Sequence, residues 1–247
     1  MEISDDVVLG SNGRNVIEVR PLSKPELSPL VPLLCRFLSR SSIGAGSMEL
    51  LDRDVYLSGN GISVSRLTLS TGTEYHTKLV RAPDPESIYL QIVTSRYPGL
   101  LEDMCVLLPT VIDVVDKSTG EIKFYIHVSR WQRSECTLAE LIVRLWMARM
   151  HQQLNRALLS FGRFLRGFHS RYPKLMHNDM NPSNVLIVET ASGTSFVLAD
   201  CAGLDDEVGD DYGSFLKSLE VLADGGFGDD FLQTASSAFA DGYRESV

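Results

Sequence analysis

The chain has no C-x-x-C pair, no histidine cluster and no internal repeat. Its four cysteines (Cys35, Cys105, Cys136, Cys201) are scattered, which leaves no zinc pattern and reads as a reduced, cytoplasmic protein. No apolar run reaches the roughly 20 residues of a membrane span, so no membrane partner is expected. The opening M-E-I-S-D-D is acidic and lacks a signal-peptide pattern. Positive charge is scarce at the far end. From Asp200 to Val247 there are 12 acids against Lys217 and Arg244, a balance of −10. The whole chain carries −9, so residues 1–199 stand near neutral, at +1. Such a region argues against nucleic acid as a partner. It suits metal ions or a cationic substrate, or is a solvated acidic face. The remaining composition, 44 % apolar and 22 % charged over 247 residues, is that of one large globular domain or a bilobal one.

The most informative stretch is Met176 to Val188, M-H-N-D-M-N-P-S-N-V-L-I-V. It holds His177, Asp179 and Asn184 in the order H-x-D-x-x-x-x-N, followed by an apolar β-branched run. A second acid, Asp200, ends the next apolar run, F-V-L-A-D. A turn-rich segment, Thr190 to Thr194, makes the two runs a hairpin that brings their polar ends together. Phosphoryl transfer needs this kit. One carboxylate orients the acceptor hydroxyl, and an Asn with a second carboxylate holds the metal on the phosphates.

H-N-D-M-N-P-S-N-V-L resembles the catalytic loop of the protein-kinase-like superfamily. Asn178, where protein kinases usually have Arg, makes it look closer to the aminoglycoside phosphotransferase and choline/ethanolamine kinase branch. The resemblance covers about residues 54–247 and implies an α+β, bilobal kinase-like fold. That fold has a small antiparallel sheet in its N-lobe and a mainly helical, minimal C-lobe. The expected division is an N-terminal extension (1–53), an N-lobe (54–130) and a C-lobe (131–247). The implied cofactors are ATP and Mg2+. Asp179 is then the catalytic carboxylate, Asn184 braces it and holds metal, and Asp200 joins metal to phosphates. His177 is expected to pack under the loop.

In chain order, V-V-L-G-S-N-G-R-N-V-I-E-V-R reads as a hairpin around Ser11-Asn12-Gly13. P-E-L-S-P-L-V-P-L-L-C-R-F-L gives a short helix, and S-R-S-S-I-G-A-G-S a linker. From Asp54, V-Y-L, S-G-N-G-I-S and V-S-R-L-T-L alternate as strands. Gly59 and Gly61 at the bend resemble the phosphate-covering loop, where backbone N–H groups must approach oxygens closely. Val64 stands near the place of that loop's third glycine. The turn Ser70 to Thr73 leads to a strand whose Lys78 matches the kinase lysine on the α- and β-phosphates. Asp84 caps a helix with Pro85 in its first turn, running to about Arg96. In the family this helix supplies a glutamate for the lysine. Glu86 is the acid within reach; Gln91 stands nearer the usual place but is uncharged.

C-V-L-L-P-T-V-I-D-V-V and I-K-F-Y-I-H-V-S-R-W are expected to complete a five-stranded antiparallel sheet, with a hinge at Ser129 to Arg133. A capping box, Thr137 with Glu140, opens an amphipathic helix. Leu154, Leu158, Phe161, Leu165 and Phe168 form the apolar stripe of a longer one, with His169 structural at its end. Asp211 starts a further helix. There it either anchors the catalytic-loop backbone or is a plain helix-starting acid. A last helix follows.

The sequence also departs from the family. Cys201-Ala202-Gly203 follow Asp200 in place of F-G, and the segment from Leu204 to Asp210 is very short, without A-P-E. The expected function is ATP- and Mg2+-dependent transfer of a phosphoryl group to a hydroxyl, by an atypical protein Ser/Thr kinase. The alternatives are a small-molecule kinase of the aminoglycoside or choline type, and a pseudokinase acting as an interaction module.

Overall fold

Alternating apolar residues and Gly-containing turns build strands first and helices later along this chain. A computed structural model describes residues 7–9, 15–19, 30–39, 46–53, 61–101, 103–190, 193–201, 204 and 209–245. The protein is α+β and divides into two compact units. One comprises residues 1–101 and 109–132, the other 102–108 and 133–247.

The first unit carries β1 (Val7–Leu9), β2 (Asn15–Val19), α1 (Val31–Ser39), β3 (Gly46–Arg53), β4 (Gly61–Leu69) and β5 (Glu74–Arg81). It continues with α2 (Pro85–Arg96), β6 (Thr110–Asp116) and β7 (Ile122–Arg130). The strands form one seven-stranded sheet in the order β1-β2-β6-β7-β5-β4-β3. β2 runs parallel to β6, and every other pair is antiparallel. The five-stranded antiparallel expectation is therefore corrected to a mixed sheet of seven. Two strands come from before residue 20, and a third, β3, occupies 46–53, where the reading gave partly linker and no strand. A parallel neighbour must arrive by a crossover, so β2 finds β6 at a sequence distance that local alternation cannot reveal. Residues of the expected extension 1–53 thus belong to this sheet and its core. The turn at Ser11 to Gly13 and the strand at Val55 to Leu57 lie outside the described residues.

Strand alternation gives the sheet two faces, each with its own helix. On one, Leu67, Leu79, Ile112, Val114, Ile126 and Val128 pack with Leu30, Leu33, Leu34 and Cys35 at and within α1. On the other, the alternate positions Lys78, His127 and Asp113 face α2.

In the second unit, residues 103–108 leave the first sheet's company. The Leu107 N–H bonds the Leu198 carbonyl and the Leu198 N–H bonds the Cys105 carbonyl, both at 2.8 Å. Asp103 accepts from Arg171 (2.8 Å) and Tyr172 (2.9 Å). Hence the strand expected from Cys105 begins only at Thr110, after Pro109, which has no N–H to give a ladder. The unit continues with β8 (Cys136–Thr137), α3 (Leu138–Met147), α4 (His151–Arg171), β9 (Val185–Thr190), β10 (Gly193–Leu198), α5 (Asp211–Leu222) and α6 (Gly228–Arg244). The Thr137–Glu140 capping box forms reciprocally at the start of α3. All five stripe residues of α4 are buried. Phe161 sits in a ring of Phe164, Phe196, Phe215 and Phe239. Full burial of each such side chain contributes about 2–3 kcal/mol. α4 and α6 touch backbone to backbone: a Cβ on Gly162 would meet the Phe239 carbonyl at 2.3 Å, and one on Gly242 the Leu159 carbonyl at 2.0 Å. Among the described residues no helix is long and apolar enough to cross a membrane.

Candidate functional site

The loop from Leu175 to Asn184 leaves α4 and enters β9 under tight local control. Asn178 adopts a left-handed backbone (φ 63), which asparagine tolerates better than branched residues. The carboxylate of Asp211, itself buried, accepts from the His177 N–H (2.8 Å) and the Asn178 N–H (2.9 Å). Its Oδ2 also lies 3.0 Å from His169 Nε2, and His169 Nδ1 lies 2.8 Å from the Tyr243 hydroxyl. Burial pushes the Asp211 carboxyl up. The His169 bond and the two backbone N–H bonds outweigh it and hold the group below its usual range. Of the two readings offered for Asp211, it is the anchor that the structure displays; the cap of α5 is Asp210, bonded to the Gly213 N–H.

This anchoring presents Asp179 outward. Asp179 is exposed. Its Oδ2 accepts from Asn184 Nδ2 at 2.7 Å and its Oδ1 from Asn181 Nδ2 at 3.1 Å. Asn184 Nδ2 also bonds the Asp179 carbonyl at 2.9 Å. Asn181 was not singled out from the sequence. Its signal was the N-P pair: Asn181 caps the short 3-10 turn Pro182–Asn184, accepting from the Ser183 N–H. His177 is fully buried and its Nε2 donates to the Ala199 carbonyl at 2.8 Å. The Ala199 N–H in turn bonds the Asn184 carbonyl at 2.8 Å. Since Val185 pairs with Leu198, Asn184 and Asp200 leave the same end of the β9–β10 hairpin. Asp200 is exposed, with φ 51. Cys201 turns inward, 2 % exposed, and burial pushes its thiol up. Ala202, Gly203 and residues 205–208 lie outside the described residues.

In the first unit, Lys78 sits on β5 opposite Val64 of β4 and His127 of β7. Its Nζ donates to Glu86 Oε1 at 3.1 Å. Asp84 caps α2 by accepting from the Ser87 N–H (2.8 Å), and so places Glu86 in the first turn. Gln91 points elsewhere, to the buried Asp113 (2.6 Å). Gly61 opens β4 at a register shift against Val80 and Leu79. Gly59 lies outside the described residues. Ser129 and Arg130, expected in a hinge, end β7. The sequence reading missed Ser87 and His127, whose hydroxyl and imidazole meet at 2.7 Å.

The structure thus joins Lys78 with Glu86 in one unit, and Asp179 with Asn184 in the other. Among the described residues no three His, Cys, Asp or Glu side chains gather as a ready metal site. No family model matches the chain, and no curated protein matches it significantly.

Proposed function

We propose that this protein is an ATP- and Mg2+-dependent phosphotransferase of the protein-kinase-like kind, moving a phosphoryl group to a hydroxyl. Its two units are the counterparts of that family's two lobes. The observation that carries the reading is the braced, outward-facing Asp179 on a loop whose backbone is pinned by a buried acid. Positioning of this sort supplies most of the rate in phosphoryl transfer, where little covalent chemistry is asked of the protein.

Asp179 holds the acceptor hydroxyl by its proton and aims the oxygen for attack. The amides of Asn181 and Asn184 keep its carboxylate in one orientation. Lys78, oriented by Glu86, neutralises charge on the α- and β-phosphates. The Mg2+ would be held by Asn184 and Asp200. The donor chemistry fits: the Nδ2 of Asn184 is committed to Asp179, which leaves Oδ1 as the ligating atom. Oxygen donors from one amide and one carboxylate suit a hard ion that keeps waters and phosphates as its other ligands. Held there, Mg2+ would supply positive charge to offset that of the phosphate oxygens as the hydroxyl approaches. We propose a protein hydroxyl as acceptor: the exposure of Asp179 admits a side chain presented on a macromolecule, and the acidic 200–247 region favours one with basic neighbours.

The test is a thermal shift with ATP, with and without Mg2+, on wild type and Asp200→Ala. A ligand selective for the folded state at a hundredfold excess over Kd stabilises by about 2.7 kcal/mol. The expected result is a Mg2+-dependent shift that Asp200→Ala loses. Asp179→Ala should keep that shift but transfer no label from γ-labelled ATP to a basic peptide library. No shift in wild type at millimolar nucleotide, or unchanged transfer by Asp179→Ala, overturns the reading.

A further inference from the structure

Helix α2 carries apolar residues on opposite sides, with polar ones among them. Leu90 and Val93 are buried, while Ile88, Tyr89 and Ile92 on the opposite side remain 40, 39 and 41 % exposed. Apolar burial alone would therefore as readily turn Ile88 and Ile92 inward. What distinguishes the observed setting is polar. Three consecutive strands of the sheet each hold one side chain of α2: Lys78 of β5 holds Glu86, His127 of β7 meets Ser87, and Asp113 of β6 holds Gln91.

The tie at Ser87 has a defined direction. Its hydroxyl has one hydrogen, which goes to Asp84 Oδ2 at 2.6 Å. Toward His127 Nε2, 2.7 Å away, Ser87 can only accept. The imidazole therefore carries its proton on Nε2, and its Nδ1 is bare. Nδ1 stands 3.8 Å from Glu86 Oε1, beyond hydrogen-bond reach. Neutrality agrees with the surroundings: burial first, and the Lys78 charge second, push His127 down to about 3. Asp84, Ser87 and His127 are all buried. An unmatched polar group among them would cost more than an exposed one, so the chain resists alternative rotations of the helix. His127 is also the cross-strand neighbour of Lys78. The relay thus fastens the first turn of α2 to the strand position beside the lysine, with Glu86 next in sequence to the fastened residue.

We infer that Ser87 and His127 are positioning residues, which with Asp84 select the rotation of α2 that delivers Glu86 to Lys78. The catalytic consequence rests on the proposed kinase reading; the positioning does not. Two readouts separate them. The first is the rate at which an amine-reactive acylating reagent labels Lys78, followed by peptide mass spectrometry without nucleotide. The second is the Kd for Mg-ATP. Ser87→Ala and His127→Leu should raise Lys78 labelling several-fold and weaken Mg-ATP binding several-fold. His127→Gln keeps an amide N–H for Ser87 and should return both towards wild type. Thr94→Ala, on the same helix, should change neither. If Ser87→Ala and His127→Leu lower Tm yet leave Lys78 labelling at the wild-type rate, the relay is mere packing and the inference is overturned. Where His127→Leu does not fold, a His127→Gln chain with labelling as high as Ser87→Ala overturns it equally. Raised labelling in a protein whose wild type binds no nucleotide supports the positioning role and rejects the kinase reading.

Discussion

The two groups of candidate residues are held by different physics. In the second unit, the loop bearing Asp179 rests on one buried acid: Asp211 takes two backbone N–H groups, and it shares α5 with Phe215, which packs with Phe161 and Phe239. In the first, the Lys78–Glu86 pair is partly open, 12 % and 30 % exposed, and sits on a helix with no distinct apolar face. The first arrangement is set by the hydrogen bonds that a buried charge demands and by the removal of bulky rings from water. The second is set by matching polar atoms across a helix and a sheet. Geometry held by burial tolerates little substitution, whereas geometry held by polar ties can change without the unit unfolding.

The largest effect should come from Asp211→Ala. It leaves two loop N–H groups and His169 without their acceptor, and loss of one partner from a buried charged network costs about 3–5 kcal/mol. Urea unfolding followed through Trp146 of the second unit measures it, and a cost below that of an exposed pair would remove the anchor role. Next, Gly162→Ala should cost about 1–3 kcal/mol, because the new methyl meets backbone that has to move. Gly167→Ala on the same helix, where a Cβ meets nothing, should instead gain up to about 1 kcal/mol of helix propensity. Equal effects at the two glycines would deny the close α4–α6 approach.

Acid should separate the units. His127 binds its proton at about 3 when folded and 6.5 when unfolded, so the unfolded chain holds more protons in between. Stability of the first unit is then fully present above pH 6.5 and drains away as pH falls towards 3. Asp211 is depressed from 3.8, so its contribution to the second unit is lost only below that value. The chain has two tryptophans, Trp131 in the first unit and Trp146 in the second. Single-tryptophan variants should show Trp131 reporting loss at the higher pH, and His127→Gln should flatten that slope. Coincident acid transitions at both probes would contradict the contrast. The smallest change is expected from Glu86→Ala, at most about 1 kcal/mol for a partly exposed pair; its mark should be on Mg-ATP affinity rather than on Tm.

Much of the local design was readable. Asp84 before Pro85 predicted the start of α2, Thr137 and Glu140 that of α3, and the spacing of Leu154 to Phe168 the buried side of α4. Each signal lies within one or two helical turns, where side chain and backbone interact directly. The Asp179–Asn184 contact was legible for the same reason, five residues apart. The Ser87–His127 contact was not, at a separation of 40 residues, and the hold of Asp211 on the loop backbone, 34 residues from His177, was offered only as one of two readings, through the resemblance. Neither a serine in a helix nor a histidine in a strand carries a mark of its partner. The parallel entry of β2 beside β6, and the transfer of 103–108 to the second unit, escaped for that reason too.

Sequence by itself therefore determined most of the helices, the caps of α2 and α3 and the composition of the H-x-D-x-x-x-x-N loop, because these follow from short-range sterics and hydrogen bonding. Only tertiary structure decided which strands became neighbours, which face of α2 turned inward, and which of its two readings Asp211 fulfils. Those choices depend on burying polar groups together with distant partners, and their free energy exists only once the chain has folded.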